Sequence, residues 1–193
     1  MRLISGQAFA KDKINLGETK ATKNWFARRV EAEAKKDTLP YSERVGNVVG
    51  VVAIILVILY FVAHHIWSTG FFTSKFDTLE MFLFYGSLMF GIVTPALRAL
   101  FGRKNLARLF EIFGSVLFTV VLAWLLVVFP FDFAYFADVL PSFLRFLLQW
   151  ISNDIARVLM VLGIIAAPVM AIYTAILYVF VRKELSKPAL KPT

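Results

Sequence analysis

Residues 78–129 read TLEMFLFYGSLMFGIVTPALRALFGRKNLARLFEIFGSVLFTVVLAWLLVVF. Two long apolar runs flank a short basic turn, Phe101-Gly-Arg-Lys-Asn-Leu-Ala-Arg108. Each run exceeds the roughly 20 residues needed to cross a hydrocarbon core of about 30 Å. Neither run alternates as a barrel strand does. Backbone groups facing lipid must be satisfied within the segment, so both runs are predicted to be helices. The turn between them must then stay on one side of a membrane, and it sets the threading of everything else.

Inside this stretch the second span covers about 78–100. Asp77 with Glu80 has the spacing of a capping box at its start. Pro95 removes a backbone donor and predicts a kink in its later half. The third span covers about 106–129, with Asn105 as its expected cap. It carries one acid, Glu111, in its first two turns. A carboxylate within a span is costly to bury and is a candidate site by default. Arg108 lies one helical turn before it, and Arg98 lies at the matching depth of the preceding span. Glu111, Arg98 and Arg108 therefore form the candidate polar site within the membrane, read first as a structural ion pair.

Outward toward the N-terminus, the first span is expected at about 44–67, with Ser42 as its cap. It ends on His64, His65 and Trp67. Neighbouring histidines point about 100° apart on a helix and do not readily share a metal. Residues 1–41 form a polar tail with a short amphipathic helix over 22–36, which Thr22 or Asn24 can cap. The first apolar run is expected to act as an uncleaved signal anchor.

Outward toward the C-terminus, residues 130–153 read PFDFAYFADVLPSFLRFLLQWISN. Asp138, Ser142, Arg145, Gln149 and Ser152 recur at steps of three and four, one polar stripe on an otherwise apolar helix. An amphipathic helix lying in the outer interface is expected over about 138–152. His64, His65, Asp138, Arg145 and Gln149 are the candidate outer-interface site. The last span, about 154–182, starts at an Asn153 or Asp154 cap and has Pro168 as a second expected kink. Gly163, Ala167, Ala171 and Ala175 repeat every four residues along it. Such small residues let membrane helices approach closely, within one chain or between chains. Residues 183–193 form a basic tail.

The fold expected is an all-α membrane protein of four transmembrane helices, the membrane domain spanning 42–182. Composition agrees, since 59% of residues are hydrophobic against roughly 45–50% for soluble domains. All but Lys75, Arg145 and Arg157 of the 21 Lys and Arg fall on the side of the 98–108 turn and the two tails. Basic residues favour the cytoplasm, so both termini are expected inside. This asymmetry also accounts for the +8 charge without nucleic acid as a partner.

The chain has no cysteine, which excludes disulfides and thiolate chemistry. It contains no phosphate-binding glycine loop, H-E-x-x-H or G-x-S-x-G pattern. No cofactor is expected. The reading favoured by these features is a non-enzymatic scaffold, accessory subunit or assembly partner. It would contact the lipid bilayer and either another membrane protein or a second copy of itself. A small oligomeric transporter or channel using Glu111 is the alternative. A lipid-acting enzyme at the outer interface is a third reading.

Overall fold

The computed structural model describes residues 25–187. Its helices are α1 Trp25–Lys35, α2 Tyr41–Ile66, α3 Thr78–Gly91, α4 Val93–Phe101, α5 Lys104–Val128 and α6 Asn153–Leu185. Two 3₁₀ segments, Phe133–Tyr135 and Ser142–Leu147, lie between α5 and α6. There is no strand among the described residues. Two isolated bridges pair Thr38 with Arg103 and Phe72 with Phe131. The expected caps Thr22 and Asn24 lie outside the described residues.

Four helices, α2, α3 continued by α4, α5 and α6, are long and apolar enough to cross a membrane. They coincide with the four expected spans, each boundary within three residues. Their outward faces are apolar: Val48, Val52, Leu56 and Leu59 on α2 and Val158, Leu162, Ile165 and Val169 on α6 are all exposed. A soluble monomer seldom exposes a continuous surface of this kind.

The second span is interrupted. Helix α3 ends at Gly91, and α4 resumes at Val93. Pro95 has no N–H, so the Gly91 carbonyl loses its usual donor four residues on. The Ile92 amide instead bonds back to Met89, and Ala96 to Ile92. The break therefore falls one turn before the proline. In contrast, α6 runs as a single helix through Pro168.

Asp77 and Glu80 form the expected capping box. Other expected caps are replaced. The first span is capped at Pro40, with no side-chain bond from Ser42. Ser152, not Asn153 or Asp154, accepts from the Ile155 amide at the start of α6. Asn153 is taken up instead by the preceding loop, where its Oδ1 accepts from the Phe133 amide at 2.7 Å. Asn105 does not cap α5. Its own amide donates to Asp37 Oδ1 at 2.7 Å, and the Lys104 amide donates to the Asp37 carbonyl at 2.9 Å. An acid from the α1–α2 linker thus satisfies two of the orphan donors at the start of α5.

Helices α5 and α6 pack closely where Gly163 receives the side chain of Leu122. A Cβ added at Gly163 would lie 2.7 Å from Leu122 Cδ2. Helix α1 lies against the far end of α6. Phe26 meets Phe180 edge-on with ring centroids 5.2 Å apart, over buried Val30, Leu177 and Val181. Both ends of the described chain and the 98–108 turn therefore share one end of the bundle, the basic end.

The opposite, aromatic end is closed by the two loops there. Thr73 and Asp132 amides donate to the Pro130 and Phe71 carbonyls. Buried Phe71 and Phe131 form the centre, with Phe61, Phe72, Phe84 and Phe136 packed around them.

The expected continuous helix over 138–152 is corrected. Only Ser142–Leu147 is helical, and it is 3₁₀. Amides of Leu144, Leu148 and Ile151 bond to carbonyls three residues back. At three residues per turn the five polar residues do not form one stripe. Arg145 folds back instead, donating from Nε to the Leu140 carbonyl at 3.1 Å and from Nη2 to the Asp138 carbonyl at 3.2 Å. The Asp138 carbonyl lies three residues before Pro141, which has no N–H to donate to it.

Candidate functional site at the Arg98–Glu111 notch

Arg98, on α4, and Glu111, on α5, are brought together. Arg98 Nη2 donates to Glu111 Oε2 at 2.7 Å. Arg108 is not part of this pair. Its Nη2 meets Glu33 Oε2 of α1 at 2.5 Å, and its Nη1 reaches Asn105 Oδ1 at 3.5 Å. Arg108 is buried beside the docked α1, where an unpaired guanidinium would be expensive. A third pair, Lys104 with Glu43 at 2.8 Å, ties the start of α5 to the first turn of α2. Three of the four basic residues of the 98–108 turn therefore hold helices together.

The Arg98–Glu111 pair differs from the others in its surroundings. Its carboxylate member, Glu111, lines a notch of about 230 Å³ together with Ser87, Gly91, Thr94, Ser115 and Ala167, and Arg98 is tied to the notch through Glu111. Gly91 and Thr94, on either side of the break between α3 and α4, line it. Phe90 and Gly114 bring the helices together, since a Cβ at Gly114 would lie 3.2 Å from the Phe90 ring. Ser87 turns its hydroxyl back to the Phe84 carbonyl at 2.8 Å. Arg98 Nε is buried without a hydrogen-bond partner. The pair remains partly open, its side chains 30% and 35% exposed. Glu111 lies seven residues beyond Lys104, about 10 Å along the helix axis.

Of the small-residue stripe, Gly163 is engaged with Leu122 within the chain, Ala171 is buried and Ala167 lines the notch. Ala175 is half-buried one turn beyond Ala171.

The candidates at the aromatic end separate. His64 is buried, with Nδ1 2.6 Å from Thr69 Oγ1 and Nε2 3.1 Å from the Phe136 carbonyl. Tyr60 donates to the same carbonyl. His65 points elsewhere, edge-on to Phe72 and Phe76. Among the described residues no three His, Asp or Glu converge as a metal site. Asp138 and Arg145 pair at 3.4 Å, while Gln149 is exposed. His64 is thus a fastener for the loop that carries Phe136.

Several contributors could not be singled out by motif. Glu33, Asp37 and Glu43 become visible only once α1 and its linker dock at the basic end. Trp124 donates from Nε1 to buried Glu80 at 3.0 Å, joining α5 to the capping box of α3. Comparison with protein-family models, curated proteins and solved structures finds no match.

Proposed function

We propose that the chain is a non-enzymatic accessory or assembly subunit of a membrane complex, and that it meets its partner at the Arg98–Glu111 notch. In this reading the basic end faces the cytoplasm, as the asymmetry of Lys and Arg favours. The 130–152 loop covers the aromatic end in the outer interface.

The observation that carries the reading is the exposure of the pair on the flank of two spans. A charged pair and nearby hydroxyls bordering hydrocarbon are costly. A neighbouring transmembrane helix would cover them and supply polar partners, one of the ways helices associate in a bilayer. Arg108 and Lys104 are taken up by Glu33 and Glu43 within the fold, so they do not compete for such a partner.

The test is the native mass of the protein in lipid nanodiscs, with co-purifying proteins identified. A defined complex with a second membrane protein is expected, and Ala167→Phe, which fills the notch, should dissociate it without lowering the melting temperature. A monomer with nothing bound, or a complex indifferent to Ala167→Phe, sinks the proposal. Ala171→Leu is a poor probe because Ala171 is buried within the bundle.

One observation favours the transporter reading. The interrupted span lies beside a carboxylate, and discontinuous helices commonly build transport sites. A closed homo-oligomer in the same experiment, with cation or proton flux in liposomes abolished by Glu111→Gln, would move the assignment there.

A further inference from the structure

At the basic end, on another flank of the bundle, a groove of about 320 Å³ separates the first turn of α2 from the end of α4. Its walls are Tyr41, Arg44, Val45, Val48, Ala99 and Leu100. Tyr41, Val45, Val48 and Leu100 are exposed, so the walls open sideways rather than into the bundle.

The guanidinium at its head is held in place. Arg44 Nη2 donates to the Leu100 carbonyl at 2.6 Å. Gly102 has a left-handed backbone, φ 62°, and presses on the guanidinium from below. A Cβ there would lie 2.9 Å from Arg44 Nε. That Nε is buried with no hydrogen-bond partner. No carboxylate pairs with Arg44 among the described residues, and the adjacent Glu43 is taken by Lys104. The groove also begins at the N-terminus of α2, where the first amides carry a partial positive charge.

We infer that this groove binds one anionic phospholipid, its phosphate held by Arg44 and the first turn of α2, one acyl chain lying along Val45, Val48 and Leu100. The guanidinium donors that the Leu100 carbonyl and the Gly102 contact leave over suit a phosphate oxygen. Basic pockets between helices at a membrane face are a recurring form of headgroup site. The apolar walls below the arginine select a lipid over a free phosphate ion, which would leave them unused. The inference needs only the membrane-spanning character of the four helices and stands apart from the notch beside Glu111.

The experiment is native mass spectrometry of the full chain from nanodiscs of phosphatidylcholine doped with phosphatidylglycerol. One phosphatidylglycerol should survive transfer to detergent, in preference to phosphatidylcholine by about tenfold, because the choline cation of the latter offsets its phosphate charge beside the Arg44 guanidinium. Arg44→Gln should remove the preference. Val48→Trp leaves the arginine in place and fills the groove, so it should remove the bound lipid with the melting temperature unchanged. If Arg44→Gln does not fold, Val48→Trp decides alone. Equal retention of the two lipids overturns the inference. So does a preference that survives Val48→Trp, which would mark diffuse attraction to the basic surface. Displacement by millimolar inorganic phosphate would reassign the groove to a free anion and overturn it as well.

Discussion

At the aromatic end of the bundle, Phe71 sits among Phe61, Phe72, Phe131, Phe133 and Phe136, with ring centroids 4.9 to 5.7 Å away. At the basic end, Arg108 sits among Glu33, Asn105 and the docked α1. Both ends must tie loops to helices where the spans stop. The first does it with ring contacts that many neighbours share. The second does it with ion pairs that each have one named partner. Aromatic packing tolerates several arrangements of similar energy, whereas removing one member of a buried ion pair strands the other. The two ends should therefore answer differently to truncation, to charge removal and to salt.

The largest effect is expected at the aromatic end. Phe71→Ala removes a ring that is almost fully buried and leaves a cavity between the two loops. The loss should be about 3–5 kcal/mol, read as a fall in melting temperature in detergent. It should be insensitive to salt, because no charge takes part. A loss under about 1 kcal/mol would mean that the surrounding rings collapse into the space, and that the cluster is looser than its contacts suggest.

Next comes the buried pair of the basic end. Glu33→Gln leaves the Arg108 guanidinium 8% exposed and without its carboxylate. Breaking a buried pair costs about 3–5 kcal/mol; with Glu33 itself 29% exposed, about 2–3 kcal/mol is expected. The change should also loosen α1, so trypsin should cut faster at Lys35 and Lys36. Unchanged cleavage would show that the Phe26 and Val30 contacts with α6 hold α1 without the ion pair.

The same contrast explains which features are legible in the amino-acid sequence. Spans were legible because length and apolarity alone decide them. The aromatic end was legible in kind, since phenylalanines crowd both loops there. The capping box of Asp77 and Glu80 is local, and its spacing is enough. Partner choice at the basic end was not legible. Arg108 has Glu111 one turn away, and sequence distance favours that pair. The fold gives Arg108 to Glu33 and leaves Glu111 to Arg98, because α1 packs against α6 and brings its acid over the start of α5. Residues 138–152 failed for a different reason. Their polar spacing fits 3.6 residues per turn, but the segment winds as 3₁₀ turns and Arg145 folds back onto the carbonyls before Pro141 while still exposed. The notch was half legible. Glu111 and Pro95 each stood out, yet that the break at Ile92 would lie beside the carboxylate depends on how α4 packs against α5.

The smallest effect tests whether the basic end acts as one network or as separate pairs. Lys104 and Glu43 are 2.8 Å apart, but Glu43 is 48% exposed. Screening by water and salt limits such a pair to about 0.2–1 kcal/mol. If the pairs are separate, Glu43→Gln should cost no more than this, and most of it should vanish at high salt. The combination with Glu33→Gln should then be additive. If the linker from Asp37 to Tyr41 couples them, the double variant should lose more than the sum, since both acids hold down the same α1–α2 segment over the start of α5. Additivity would leave the Arg108–Glu33 and Lys104–Glu43 pairs as independent ties of that end. Excess loss would make the linker itself the anchor, with Asp37 on the α5 amides as its fixed point.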